Sequence, residues 1–193
     1  MAQHPIPRPE YPRPQMVRDA FLNLNGTWDF SFDFSNSGID RKYQLEENFE
    51  RTITVPFCPE SKLSGIGFTD FIPALWYKRT FTLPEEALNG HVLLHFGAVD
   101  YHCKVWVNDV ECGGHQGGYT SFAIDITEAA KAGENKVVLW AEDDGRSCTQ
   151  PRGKQSSKYY SHGCDYTRTT GIWQTVWIEW VPSTYIDSYR VIP

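Results

Sequence analysis

Asp165-Tyr166-Thr167-Arg168-Thr169-Thr170-Gly171-Ile172-Trp173-Gln174-Thr175-Val176-Trp177-Ile178-Glu179 changes character at its single glycine. After Gly171 the residues alternate. Ile172, Gln174, Val176 and Ile178 fall on one face and Trp173, Thr175, Trp177 and Glu179 on the other, the period of a strand lying on a core. Before Gly171 the residues are polar, short and aperiodic, which predicts a loop delivered to the strand by the glycine. Loops held at the end of a rigid sheet are where binding groups commonly sit. Asp165 and Arg168 are the chemically useful members of this one.

The same period recurs upstream. Trp28, Phe30, Phe32 and Phe34 alternate with Asp29, Ser31 and Asp33, predicting a half-buried strand with an aromatic inner face. Asn25-Gly26-Thr27 before it reads first as a turn and second as a glycosylation acceptor. Further strands are predicted over residues 51–55, where Pro56 stops the run, and over 75–83, 91–98, 102–107, 120–125, 136–141 and 185–192. Asn108-Asp109 is a two-residue connection that twists correctly for a hairpin. One helical turn is predicted over 127–132, capped by Thr127 and ended by Gly133. Residues 35–50 read as a surface connection, and 57–73 and 146–163 as irregular loops. Gly65-Ile66-Gly67 lacks the following helix that a phosphate cradle needs. About nine or ten short strands with almost no helix predict an all-β fold, an antiparallel sandwich of the jelly-roll sort.

The 193 residues suffice for one domain with a sizeable core, and no internal repeat or linker divides them. Residues 1–22 form an arm with prolines at 5, 7, 9, 12 and 14, expected to be extended and solvated, ahead of a domain over 23–193. A net charge of −6 without a basic cluster argues against a nucleic-acid groove or an anionic membrane surface. No apolar run reaches the roughly 20 residues that span a bilayer. The opening residues carry no export signal, so the chain reads as cytoplasmic as written, or as periplasmic or secreted if a signal peptide was removed. Five irregularly spaced cysteines read as reduced, mostly buried thiols, with Cys103 and Cys112 as a lesser candidate for a cross-hairpin bond.

Catalytic markers are sparse. His91 and His95 share a strand face about 13 Å apart at roughly 3.3 Å per residue, too far for one zinc ion. His115 and His162 lie in loops where a ligand can be met. No paired-cysteine metal motif, Gly-x-Ser-x-Gly elbow or His-Glu-x-x-His helix is present. Cleavage of a glycosidic bond takes two carboxylates roughly 5 to 9 Å apart. Asp70, Asp100, Asp143, Asp144 and Asp165 are all loop carboxylates, and nothing in the sequence pairs any two of them. Asp165 is suited to accepting hydrogen bonds from sugar hydroxyls, against a plain reading as a turn residue. Trp76, Tyr119, Tyr159, Tyr160 and Tyr166 are candidates for a sugar-stacking platform.

Leu24-Asn25-Gly26-Thr27-Trp28-Asp29-Phe30, Val55-Pro56, Trp76-Tyr77-Lys78-Arg79-Thr80-Phe81, Val107-Asn108-Asp109 and His115-Gln116-Gly117-Gly118-Tyr119-Thr120-Ser121-Phe122 form an ordered set. Together with Gly153-Lys154-Gln155 and the stretch from Asp165 to Trp177, it resembles the N-terminal domain of glycoside hydrolase family 2. The resemblance implies a galactose-binding-domain-like jelly roll, followed in longer members by an immunoglobulin-like domain and a barrel that carries both glutamates of a retaining mechanism. It implies a β-galactosidase-like parent acting on terminal β-glycosides and no catalytic residue within these 193. It also implies a substrate-binding role for Asp165, six residues before Gly171, which in the full enzyme would also help hold a sodium ion, with the other ligands on the barrel. Arg168 is read as a further substrate contact, as a partner for Asp165 or as a surface residue. The implied partners are the β-glycoside and the barrel, with no other cofactor. A free-standing carbohydrate-binding module is the rival reading, and a purely structural, self-pairing domain a third.

Overall fold

A computed structural model describes residues 6–192. Among them are twelve strands: β1 Phe21–Asn23, β2 Gly26–Phe32, β3 Arg51–Val55, β4 Ala74–Leu83, β5 His91–Phe96, β6 Val99–Asp100, β7 His102–Val107, β8 Val110–Gln116, β9 Phe122–Asp125, β10 Gly133–Glu142, β11 Gly171–Ile172 and β12 Val176–Val181. One sheet runs β3-β2-β4-β10-β7-β8, a second β1-β12-β5-β9, and β11 pairs with β6 between them. Every strand pairing is antiparallel.

The alternation decides which side chains meet between the layers. Trp28 and Phe30 of β2, Leu75 and Tyr77 of β4, Val137 and Leu139 of β10 and Val105 of β7 face Leu94, Phe96, Val176 and Ile178 of the smaller sheet in one buried cluster. Each such aliphatic or phenyl group contributes about 1.5–3 kcal/mol by leaving water. Asn108 and Asp109 have φ of 49° and 70°, the paired left-handed residues of a type I′ turn, so β7 and β8 form the expected hairpin. Cys103 lies opposite His115 in that hairpin rather than opposite Cys112, and all five cysteines are free, two of them, Cys148 and Cys164, exposed.

Several local expectations change for tertiary reasons. The stretch after Gly171 is two strands, because the chain leaves β6 after Ile172 and reaches β5 only at Val176. Phe34 lies beyond β2, exposed and stacked on Phe32. The final extended residues form no strand. At 127–132 the expected turn forms without becoming a helix: the Ala129 and Ala130 N–H groups donate to Ile126 O at 3.0 and 2.9 Å, while Asp125, not Thr127, accepts the Thr127 N–H at 2.9 Å and the Thr127 hydroxyl accepts the Val92 N–H, also at 2.9 Å. Residues 35–50 are more than a surface connection. Ile39, Tyr43 and Phe49 close over Trp76, Trp106 and Trp140 on the outer face of the larger sheet. Trp76 is fully buried there and is no sugar platform.

Of the arm, residues 1–5 lie outside the described residues, and residues 6–20 are not a free tail: they cross the outer face of the smaller sheet, where they meet the fully buried Glu179, before Phe21 and Leu22 enter β1. Tyr11 donates to Glu179 at 2.5 Å, Arg13 at 2.7 Å and the Trp177 indole at 2.8 Å, while the Arg18 guanidinium and His95 stand 2.9 and 3.4 Å away. Burial alone would raise the Glu179 pKa, but hydrogen bonding from His95, Tyr11 and Trp177 overrides it and holds the carboxyl well below the usual range. Asn25 is fully buried, donating to the Pro7 and Arg8 carbonyls and accepting the Val176 N–H, so it is closed to glycosylation.

Candidate functional site

Residues 143–170 leave β10 and return into β11 at the end of the sandwich where β2 and β5 finish and β4, β7 and β12 begin. The loop is pinned in layers. Tyr166 N–H donates to Lys154 O and Ser156 N–H to Tyr166 O, each at 2.7 Å. Gln155 is buried, its amide donating to Asp100 at 2.6 Å and its carbonyl accepting the Thr169 N–H at 2.7 Å. Gly171 has φ of 70°, and a Cβ there would stand 2.4 Å from the Tyr77 hydroxyl, so only glycine fits where loop becomes strand.

Asp165 sits at the tip of a turn closed by its own N–H to His162 O at 2.8 Å and by the His162 N–H to Asp165 O at 3.1 Å. Its side chain is 26% exposed, 3.8 Å from His162 Nε2 and 4.0 Å from Cys164 Sγ. Among the described residues no backbone amide donates to its carboxylate, so the group keeps acceptor capacity that a turn residue would have spent. A histidine and a thiol are not the oxygen-rich set a hard cation such as sodium prefers. Among the described residues no group of three or more His, Cys, Asp or Glu is placed to hold a metal.

Arg168 stands elsewhere than the sequence expectation put it. It is 3% exposed, its guanidinium lies 4.0 Å from the Phe71 ring centroid, and it donates to the carbonyls of Ser156, Lys158 and Thr69. Among the described residues it makes no ion pair with Asp165. Its two terminal nitrogens reach the carbonyls of two converging segments, so the side chain ties residues 156–158 to Thr69 rather than facing substrate. Arg146 lies against the same ring at 3.7 Å.

Under the loop the fold gathers carboxylates that the sequence left unpaired. Thr170 donates its N–H to Glu60 and its hydroxyl to Asp143, both at 3.3 Å, and the charges of Glu60 and Asp143 both act on Asp100. Burial pushes Glu60 up to about 7 and Asp143 up to about 6; burial and then Asp143 push Asp100 up to about 7. Among the described residues, one oxygen each of Glu60 and Asp100 has no hydrogen-bond partner. A Cβ on Gly118 would lie 2.3 Å from Asp100, which fixes how closely the next loop packs on this layer. All three carboxyls are buried, so they underlie the site and do not flank a bound glycoside. Glu60 carries no sequence signal, since it lies in an aperiodic loop and meets its partner 110 residues away.

Tyr119, Tyr159, Tyr160 and Tyr166 are all more than half exposed, and Tyr160 lies edge-on to His162 at 6.2 Å. His115 is instead stacked on Phe122 at 4.2 Å. A cleft of about 550 Å³ between the arm and the smaller sheet, lined by Arg8, Tyr11, Arg13, Gln174 and Trp177, does not include Asp165. Among the described residues no helix is long and apolar enough to cross a membrane.

The profile of the glycosyl hydrolases family 2 sugar binding domain matches residues 21–182. A β-glucuronidase of Paenibacillus borealis is 31% identical over 148 residues, 75% of this chain and 24% of that protein. A β-galactosidase of Thermoanaerobacter pseudethanolicus is 30% identical over 181 residues, 92% of this chain and 23% of that protein. The chain thus spans about a quarter of the length of these curated relatives. The solved β-glucuronidase of an uncultured Clostridium shares the fold with a TM-score of 0.71 at 23% identity, over 86% of this chain and 30% of that one. The chain belongs to glycosyl hydrolase family 2, as a sugar binding domain of that family.

Proposed function

We propose that this chain is the sugar-binding part of a longer retaining β-glycosidase and that Asp165 accepts hydrogen bonds from hydroxyls of the terminal sugar. The observation that carries the reading is the Asp165 carboxylate itself, part-exposed, free of backbone donors and mounted on a loop tied down on three sides. The acid and nucleophile glutamates lie on a barrel domain of the same polypeptide, beyond an immunoglobulin-like domain, and the barrel covers this end of the sandwich. These 193 residues alone are therefore inert as a hydrolase. The substrate is a terminal β-glucuronide or β-galactoside, the two sugars in the names of the relatives. Any sodium ion would take Asp165 as one ligand and the rest from the barrel.

The test is Asp165→Asn in the longer glycosidase, assayed on nitrophenyl β-glucuronide and β-galactoside. Losing a charged acceptor should lower kcat/KM on the true substrate roughly 10- to 100-fold with an unchanged melting temperature. Wild-type turnover with the variant would remove Asp165 from the site.

A further inference from the structure

The protons around His162 can be placed one by one. Ser156 is fully buried, and its single hydroxyl proton goes to the Tyr160 carbonyl at 2.8 Å, because a carbonyl can only accept. The same oxygen receives the Lys158 N–H at 3.1 Å. His162 Nδ1 lies 3.0 Å from that oxygen, so Nδ1 must be the donor. The neutral ring therefore carries its proton on Nδ1 and leaves Nε2 bare. That bare nitrogen faces the Asp165 carboxylate at 3.8 Å, an acceptor beside an acceptor with no proton between them. Neither can satisfy the other. Beyond the Cys164 thiol at 4.0 Å from Asp165, both are open to donors arriving from outside.

We propose that His162 is a second hydroxyl acceptor of the sugar site, its Nε2 and the Asp165 carboxylate together gripping adjacent hydroxyls of the terminal sugar. The proposal rests on the reading that Asp165 meets that sugar. Two acceptors at this spacing each receive a hydroxyl at a normal O–H contact of about 2.7–2.8 Å, as neighbouring hydroxyls on one pyranose ring permit. The buried Ser156 fixes the ring's tautomer and orientation, as the second group does for an orienting histidine elsewhere. The two backbone hydrogen bonds between His162 and Asp165 keep both acceptors in one turn.

In the longer glycosidase, His162→Asn places an amide N–H near the position of Nδ1, keeps the bond to Ser156 and deletes Nε2. We expect kcat/KM to fall about tenfold, the worth of one such bond. Assayed against a series of monodeoxy glycosides, the loss should vanish for the one lacking the hydroxyl that Nε2 accepts. An equal loss on every deoxy substrate would show a merely structural role and overturn the proposal. Asp165→Asn is run alongside. If it lowers activity and His162→Asn does not, this inference alone fails; if it has no effect, the underlying reading fails. A nitrogen-15 spectrum of the unsubstituted protein requires no variant to fold, and finding the proton on Nε2 of neutral His162 would also refute the assignment.

Discussion

Replacing Glu60 with glutamine removes a charge that the fold holds against its own solvation. An ordinary glutamate titrates at 4.5, whereas burial, only partly offset by hydrogen bonds from Thr170, raises Glu60 to about 7. Between those values the folded protein keeps a proton that the unfolded chain has released. The stability this group contributes is therefore fully present below pH 4.5 and lost as pH climbs through about 7. At about 1.4 kcal/mol per unit, the loss reaches about 3 kcal/mol by roughly pH 8. Glutamine keeps an acceptor for the Thr170 N–H and stays neutral throughout. Relative to wild type, Glu60→Gln should gain about 3 kcal/mol across that range, which for a chain of this size raises Tm by roughly 6–12 °C. Urea unfolding of both proteins at a series of pH values measures it. A constant offset at low pH reports only how well the amide packs, whereas the divergence reports the charge. Curves that stay parallel from acid to mild base would refute the reasoning, because the Glu60 charge would then cost nothing in the folded state.

Glu179 should behave with the opposite sign: its folded pKa is depressed, so its contribution is present above about 4.5 and lost as pH falls below it. Glu179→Gln should cost about 2–3 kcal/mol at neutral pH, allowing for solvent at the part-exposed Arg13, and should speed tryptic cleavage within the arm; a variant arm as protected as wild type would contradict the clamp. Arg168→Lys loses the planar fork that reaches three carbonyls and lies on Phe71, and should lower stability by about 2–3 kcal/mol in urea unfolding. An unchanged midpoint would return Arg168 to the surface.

Strand positions were legible where the signal is local. β3 and β7 occupy the residues that alternation and Pro56 predict, and the aromatic face of β2 turns inward from Trp28 to Phe32. Asn108-Asp109 adopts the left-handed pair its side chains tolerate. Asp165 was legible as a candidate because the polar run before Gly171 breaks the period. The roles of Arg168, Trp76 and the arm were not, since each depends on what lies across the fold: three backbone carbonyls, a covering loop, and a carboxylate 166 residues from Arg13. Side-chain alternation is a property of neighbours along the chain, so the sequence by itself determined strands such as β3 and β7, the sandwich class and the loop that bears Asp165. Whether a charge is exposed, paired or protonated depends on groups brought together from distant positions. Only the tertiary structure therefore decided that Arg168 is a tether, that Glu60, Asp100 and Asp143 lie buried beneath the site, and that His162 turns a bare nitrogen toward Asp165.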